Sequence, residues 1–154
     1  MKNLNFKQVL LFLVTLVFSM ASCKPKNANN TISADAAAKV YVAPGKYDEF
    51  YNFVSGGFSG QMSAYGLPSG RLLRVIPVFS VDPEKGYGFS EETKPMLNTS
   101  HGFVPWDDLH HVQLSKTNGD YDGKWVFGNA NNTPRVARID LKTFRTAEII
   151  ELPN

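Results

Sequence analysis

The chain has 154 residues, of which 43% are hydrophobic and 19% charged, and a formal net charge of +2. That length suits one ordinary domain, and the balance is that of a packed globule, which excludes an intrinsically disordered chain. It also excludes a basic field for nucleic acid: without Lys2 and Lys7 near the amino terminus, fourteen Lys and Arg face fourteen Asp and Glu.

The first segment, MKNLNFKQVLLFLVTLVFSMASC, sets those two lysines ahead of an apolar stretch from Val9 to Phe18 and closes on Ala21, Ser22 and Cys23. The stretch falls well short of the roughly 20 residues that span a bilayer, so residues 1–22 read as a Sec-type export signal. The ending Met20-Ala21-Ser22-Cys23 resembles a bacterial lipobox, in which cleavage precedes the cysteine and its thiol takes up diacylglycerol. Lipidation would explain why an exported chain carries one unpaired cysteine; the alternative is a stray cysteine closing an ordinary cleavable signal. The expected location is the periplasm or cell envelope, with a soluble domain held at a membrane surface by lipid. Residues 23–39, polar and rich in Ala and Asn without apolar periodicity, read as a tether that needs no structure of its own.

From residue 40 to 154 the expected fold is all-β, because aromatic and β-branched residues are frequent and Gly and Pro recur at short intervals. The run VYVAPGKYDEFYNFVSGGFSGQM opens it, with Tyr41, Tyr47, Phe50, Tyr51 and Phe53 expected to pack in a β core. Interleaved Lys and Arg are too scarce there for a nucleic-acid stacking platform. Arg71 to Asp82 is a strand candidate that Pro77 restricts to an edge or bulged position. Pro83 to Phe103 reads as a long loop, a length that tends to carry function or wrap the surface. The strand candidates after it are Leu109 to Lys116, Lys124 to Asn129, Arg135 to Leu141 and Ala147 to Leu152, with Asn118-Gly119 and Asp122-Gly123 bracketing the first turn. Four antiparallel strands in about 45 residues is the size of one β-propeller blade. One blade cannot bury its own faces, so the chain is expected to be part of a larger propeller.

His110 and His111 stand at the start of the first of those strands, where successive side chains of a regular strand point to opposite faces. Adjacent histidines also occur incidentally in loops, and a mononuclear zinc site would want other spacing and further Cys or His ligands; His101 is the other histidine. Two neighbouring imidazoles can serve one site if the backbone is irregular there. They can also serve a cluster large enough for each to reach a different metal atom, with the remaining ligands from other blades.

The stretches YVAPGKYDEFYNFVSGG, RVIPVFSVDPEKGYGF, DDLHHVQLSKTNGDYDGKWVFGNANNTPRVARIDL and FRTAEII resemble the amino-terminal part of nitrous-oxide reductase, in order and spacing, over nearly everything from Tyr41 to Asn154. The resemblance implies a seven-bladed propeller, of which this chain would hold only the amino-terminal blades, binding a tetranuclear copper–sulfide cluster through histidines. In that family the paired histidines are cluster ligands, a role that maps to His110 and His111. A cupredoxin domain with a dinuclear copper centre, and the calcium ligands, would lie past Asn154. The implied reaction is the reduction of nitrous oxide to dinitrogen and water, the last step of denitrification. The implied partners are an electron donor such as a c-type cytochrome or cupredoxin and, in the complete enzyme, a second subunit. Many members have histidine where this chain has Phe58 and Gln113, which together with the lipobox-like leader points to the Sec-exported branch. Neutral imidazole suits copper, and its second ring nitrogen can donate to a carboxylate, which Asp107 or Asp108 could supply; alternatively both aspartates cap the turn before the strand. The competing reading is a lipid-anchored, non-catalytic propeller that binds a partner in the cell envelope.

Overall fold

The computed structural model describes residues 34–153. The expected signal peptide, Cys23 and most of the expected tether lie outside them. The end of that tether is helical: α1, Ala34–Val40, has Asp35 in its first turn and Lys39 in its last. Alanine's high helix propensity and these charges at opposite ends of the macrodipole favour the turn, signals that a compositional reading for a linker passes over. By packing, the described residues divide after Ala38, and those from Lys39 onward make up the second unit.

The second unit is all-β and antiparallel, with nine strands among the described residues and no closed barrel. A three-stranded sheet contains β1 (Phe50–Ser55), β2 (Gln61–Leu67) and β3 (Leu72–Pro77) in that order. A four-stranded meander contains β6 (Leu109–Thr117), β7 (Asp120–Ala130), β8 (Arg135–Asp140) and β9 (Arg145–Glu151). Between them, the segment read as a long loop carries two 3-10 turns, at Pro83–Lys85 and Lys94–Leu97, and a short hairpin of β4 (Asn98–Thr99) and β5 (Gly102–Phe103). Tyr87 anchors this segment by donating its hydroxyl to the Val78 carbonyl at 2.6 Å, and burial pushes that hydroxyl's pKa up.

The meander follows from local rules. Asn118 and Gly119 both take positive φ, 54° and 93°, the geometry that a two-residue hairpin loop between right-twisted strands requires. β8 alternates strictly, with Arg135, Ala137 and Ile139 buried. Asp122-Gly123, expected to flank the turn, lies inside β7 instead. The ladder shifts there because the Asp122 carboxylate accepts hydrogen bonds from Ser115, Thr117 and the Lys124 amide, and these hold its pKa below the usual carboxylate range. β3 is an edge strand ending at Pro77, and its pairing with β2 slips between Ala64 and Tyr65.

The core is shared by both sheets. Met62, Ile76, Val78 and Phe79 meet Leu109, Val126, Ala137 and Ile139, each at most 1% exposed. At about 1.5–3 kcal/mol for each large side chain fully buried, this cluster is the main stabilising contribution. Thr146 Oγ1 donates to the Pro77 carbonyl at 2.7 Å, and Gly57 bridges to Leu109, so each end of the meander is tied to the three-stranded side. The opening aromatic run departs from expectation. Phe53 packs against the core, but Tyr41, Tyr47, Phe50 and Tyr51 are exposed, Tyr47 at 90%. In β1, residues 51 and 53 face Phe144 across the core, which turns Phe50 and Val54 to the opposite, uncovered face.

Candidate metal centre

β6 starts as a regular partner of β7, with Leu109 opposite Ala130 and His110 opposite Asn129, and resumes with Gln113 opposite Phe127. β6 thus advances three residues while β7 advances two. The extra residue makes a β-bulge, with His111 at φ 43°, in the left-handed region that non-glycine residues seldom occupy. The irregularity removes the strand's alternation at this point. The two imidazoles come together, with ring centroids 5.7 Å apart at an interplanar angle of 56°. Beyond the bulge Val112 and Leu114 return to the core side.

Each ring has one nitrogen engaged. His110 Nε2 lies 3.0 Å from Asp108 Oδ2, and since a carboxylate only accepts, Nε2 carries the proton and Nδ1 presents its lone pair. His111 Nδ1 lies 3.2 Å from Asn129 Oδ1. Asn129 sends its amide nitrogen to the Ala130 carbonyl, which leaves its oxygen facing His111 and so assigns the proton to Nδ1 and the lone pair to Nε2. Both rings reach solvent; the His110 side chain is 41% exposed.

The two aspartates have separate tasks. Asp108 is buried beside His110, and its second oxygen, Oδ1, has no hydrogen-bond partner. Asp107 faces the β7–β8 loop and none of its hydrogen bonds goes to either histidine. It accepts from the Asp108 amide, the Asn132 amide and side chain, Thr133 Oγ1 and Arg135 Nη2. Burial raises the Asp107 pKa, but the hydrogen bonds from Thr133, Asn132 and Arg135 outweigh it and hold the carboxyl below the usual range. Asp107 therefore fits the turn-capping alternative, and Asp108 alone touches the pair. His101 is apart from both, in the β4–β5 turn near Glu151. Gln113 bonds the Leu114 carbonyl, and the Phe58 ring stacks parallel to Trp106, whose indole donates to the Phe58 carbonyl at 2.6 Å.

Among the described residues no set of three or more His, Cys, Asp and Glu side chains forms a metal site. The pair can supply two ligands and needs others. Its donor set suits copper: two imidazoles, each with one nitrogen oriented by a hydrogen bond and the other open. The uncompensated oxygen of Asp108 also favours positive charge beside His110. Asn129 was not legible in the sequence, because only the cross-strand register places it beside His111.

No protein-family model matches the chain. Curated relatives do. The chain is 42% identical over 120 residues to a nitrous-oxide reductase of Pseudomonas fluorescens and 40% identical over 120 residues to that of Stutzerimonas stutzeri, each match covering 78% of the chain and 19% of the relative. It is 36% identical over 133 residues to the nitrous-oxide reductase of Cupriavidus necator, covering 84% of the chain and 21% of the relative. The chain thus spans about a fifth of the length of the curated relatives it matches. Over the stretch it shares with them, the chain is a partial match to nitrous-oxide reductases.

Proposed function

We propose that this chain supplies the paired imidazoles of His110 and His111 to a copper–sulfide cluster at which nitrous oxide is reduced to dinitrogen and water, as part of a longer polypeptide. The observation that carries the reading is the bulge, which brings two adjacent rings to 5.7 Å with one open nitrogen each. When bound, such a cluster supplies the electrons and the electrophilic metal that the reaction needs. The chain's own residues orient and hold. Asp108 fixes the tautomer and plane of His110. Asn129 does the same for His111 without a charge. In this reading the four-stranded sheet is a propeller blade whose first strand faces the shared centre, and further ligands come from other parts of the enzyme. Export by a Sec-type signal, a lipid on Cys23 and electron delivery by a small redox protein belong to the same proposal.

The test uses the complete reductase that carries this segment, with copper content and nitrous-oxide turnover both measured. His110→Ala and His111→Ala are each expected to lower cluster copper before any change in the chemistry of the copper that remains. Asp108→Ala is expected to weaken copper retention by about 10- to 100-fold. His101→Ala is expected to leave both readings unchanged. Full copper and wild-type turnover in both histidine variants would sink the assignment.

A further inference from the structure

The chain has five arginines. Three are matched to carboxylates: Arg71 to Asp48, Arg135 to Asp107 and Arg138 to Glu148. Among the described residues, the side chains of Arg74 and Arg145 have neither an ion pair nor a hydrogen bond, and both residues line the same cleft of about 300 Å³. The cleft is walled by β3, the 3-10 turns of residues 83–97 and the start of β9.

The chemistry of its lining is lopsided. Val75, Pro77, Met96 and Phe144 give it an apolar wall. Its neutral polar groups are already spent: the Tyr87 hydroxyl on Val78, the Thr146 hydroxyl on Pro77, and the Thr93 hydroxyl on Ser90 and the Gly88 amide. Lys85, at the edge, is bound to Asp82 at 2.6 Å. Against the two unmatched guanidiniums stands the single carboxylate of Glu92. The side-chain cations with no partner in this cleft are therefore two planar, permanently charged forks beside a hydrophobic surface, with the hydrogens that Lys85 does not give to Asp82 at hand. Phe144 is held at φ 53° in the β8–β9 turn, where its amide bonds the Asp140 carbonyl and its ring packs on Tyr51 and Phe53, so the wall is fixed in place.

We propose that this cleft is a binding site for a small organic anion, a carboxylate on an apolar body. The carboxylate would lie against Arg74 and Arg145, and the body against Phe144, Met96 and Pro77. A guanidinium binds a carboxylate through two parallel hydrogen bonds, and a cleft of this size admits little more than one aromatic ring with a short arm. The site is separate from the histidine pair and does not depend on copper.

Titration calorimetry on the full polypeptide product of the gene tests it, with phenylacetate as probe, benzyl alcohol as the uncharged counterpart and inorganic phosphate as the anion without an apolar body. Phenylacetate is expected to bind at least about tenfold more tightly than either. Arg74→Gln and Arg145→Gln should each weaken phenylacetate by about tenfold or more, whereas Lys142→Gln, outside the cleft, should not change it. Circular dichroism of each variant checks that the fold is kept. Phosphate or benzyl alcohol binding as tightly as phenylacetate, no binding of phenylacetate, or unchanged affinity in both arginine variants would overturn the proposal.

Discussion

An aspartate–arginine pair anchors each of the two sheets, at different depths. In the three-stranded sheet Asp48 accepts from the Ser69 amide and hydroxyl and from Arg71, whose side chain is 48% exposed. In the meander, Asp107 and Arg135 are both fully buried, and the Arg135 guanidinium also lies over the Phe79 ring at 5.2 Å. Water reaches Arg71 and can replace its carboxylate, although the Asp48 side chain is itself buried, whereas neither partner of the second pair has such recourse. The same contrast separates the sheet faces. The meander alternates buried and half-buried positions along β7 and β8, but the three-stranded sheet leaves Phe50, Val54, Leu67 and Leu72 between 40% and 62% exposed. One sheet is anchored from within, the other from its rim.

The largest test of that contrast removes one partner at a time. Asp107→Ala should cost about 3–5 kcal/mol, because it leaves the Arg135 charge buried without its carboxylate. Asp48→Ala should cost less than half as much. Urea midpoints of the two variants measure this, and equal losses would break the comparison. A pH series sharpens it. A carboxyl whose folded pKa is depressed contributes stability that is present above its unfolded value of about 3.9 and is lost as pH falls through the folded value. Stability should therefore drop below about pH 4, with a slope that Asp107→Asn reduces. Measuring midpoints between neutral and acid pH decides it, and an unchanged slope in the variant would assign the acid loss to other carboxyls. The smallest expected effect is on the exposed face. Phe50→Thr and Leu72→Thr should each shift stability by no more than about 0.5 kcal/mol while reducing light scattering by the concentrated protein. A larger loss would mean that this face is covered in the native protein.

Much of the meander was legible, because its signals are local: the Asn118-Gly119 turn and the alternation of RVARID each act within a few residues. β1 and β2 were not marked out within the aromatic run. QMSAYGL buries Met62, Ala64 and Gly66 on alternate positions, but small residues on a buried face give little hydrophobic contrast, and Gly66 is small because Asp48 fills the space a side chain would need. Asp122-Gly123 has the composition of a turn and sits in a strand, since Ser115 and Thr117 on the facing strand take up its carboxylate. The division of labour between Asp107 and Asp108 was hidden for a related reason. Two identical neighbours are told apart only by what approaches each, and Arg135 arrives from 28 positions away.

The bulge at His111 also divides fold from chemistry within one strand. Without that residue the sequence would read Leu109, His110, Val112, Gln113, Leu114, an unbroken alternation with every apolar side chain toward the core. His111 is the supernumerary residue, and the backbone tolerates it at a cost of roughly 1–2 kcal/mol for a non-glycine left-handed conformation. A chain lacking it would be expected to keep the sheet and gain regularity while losing one of the two open ring nitrogens. His111 thus makes the strand less regular, and what it adds to the fold is a second imidazole beside the first.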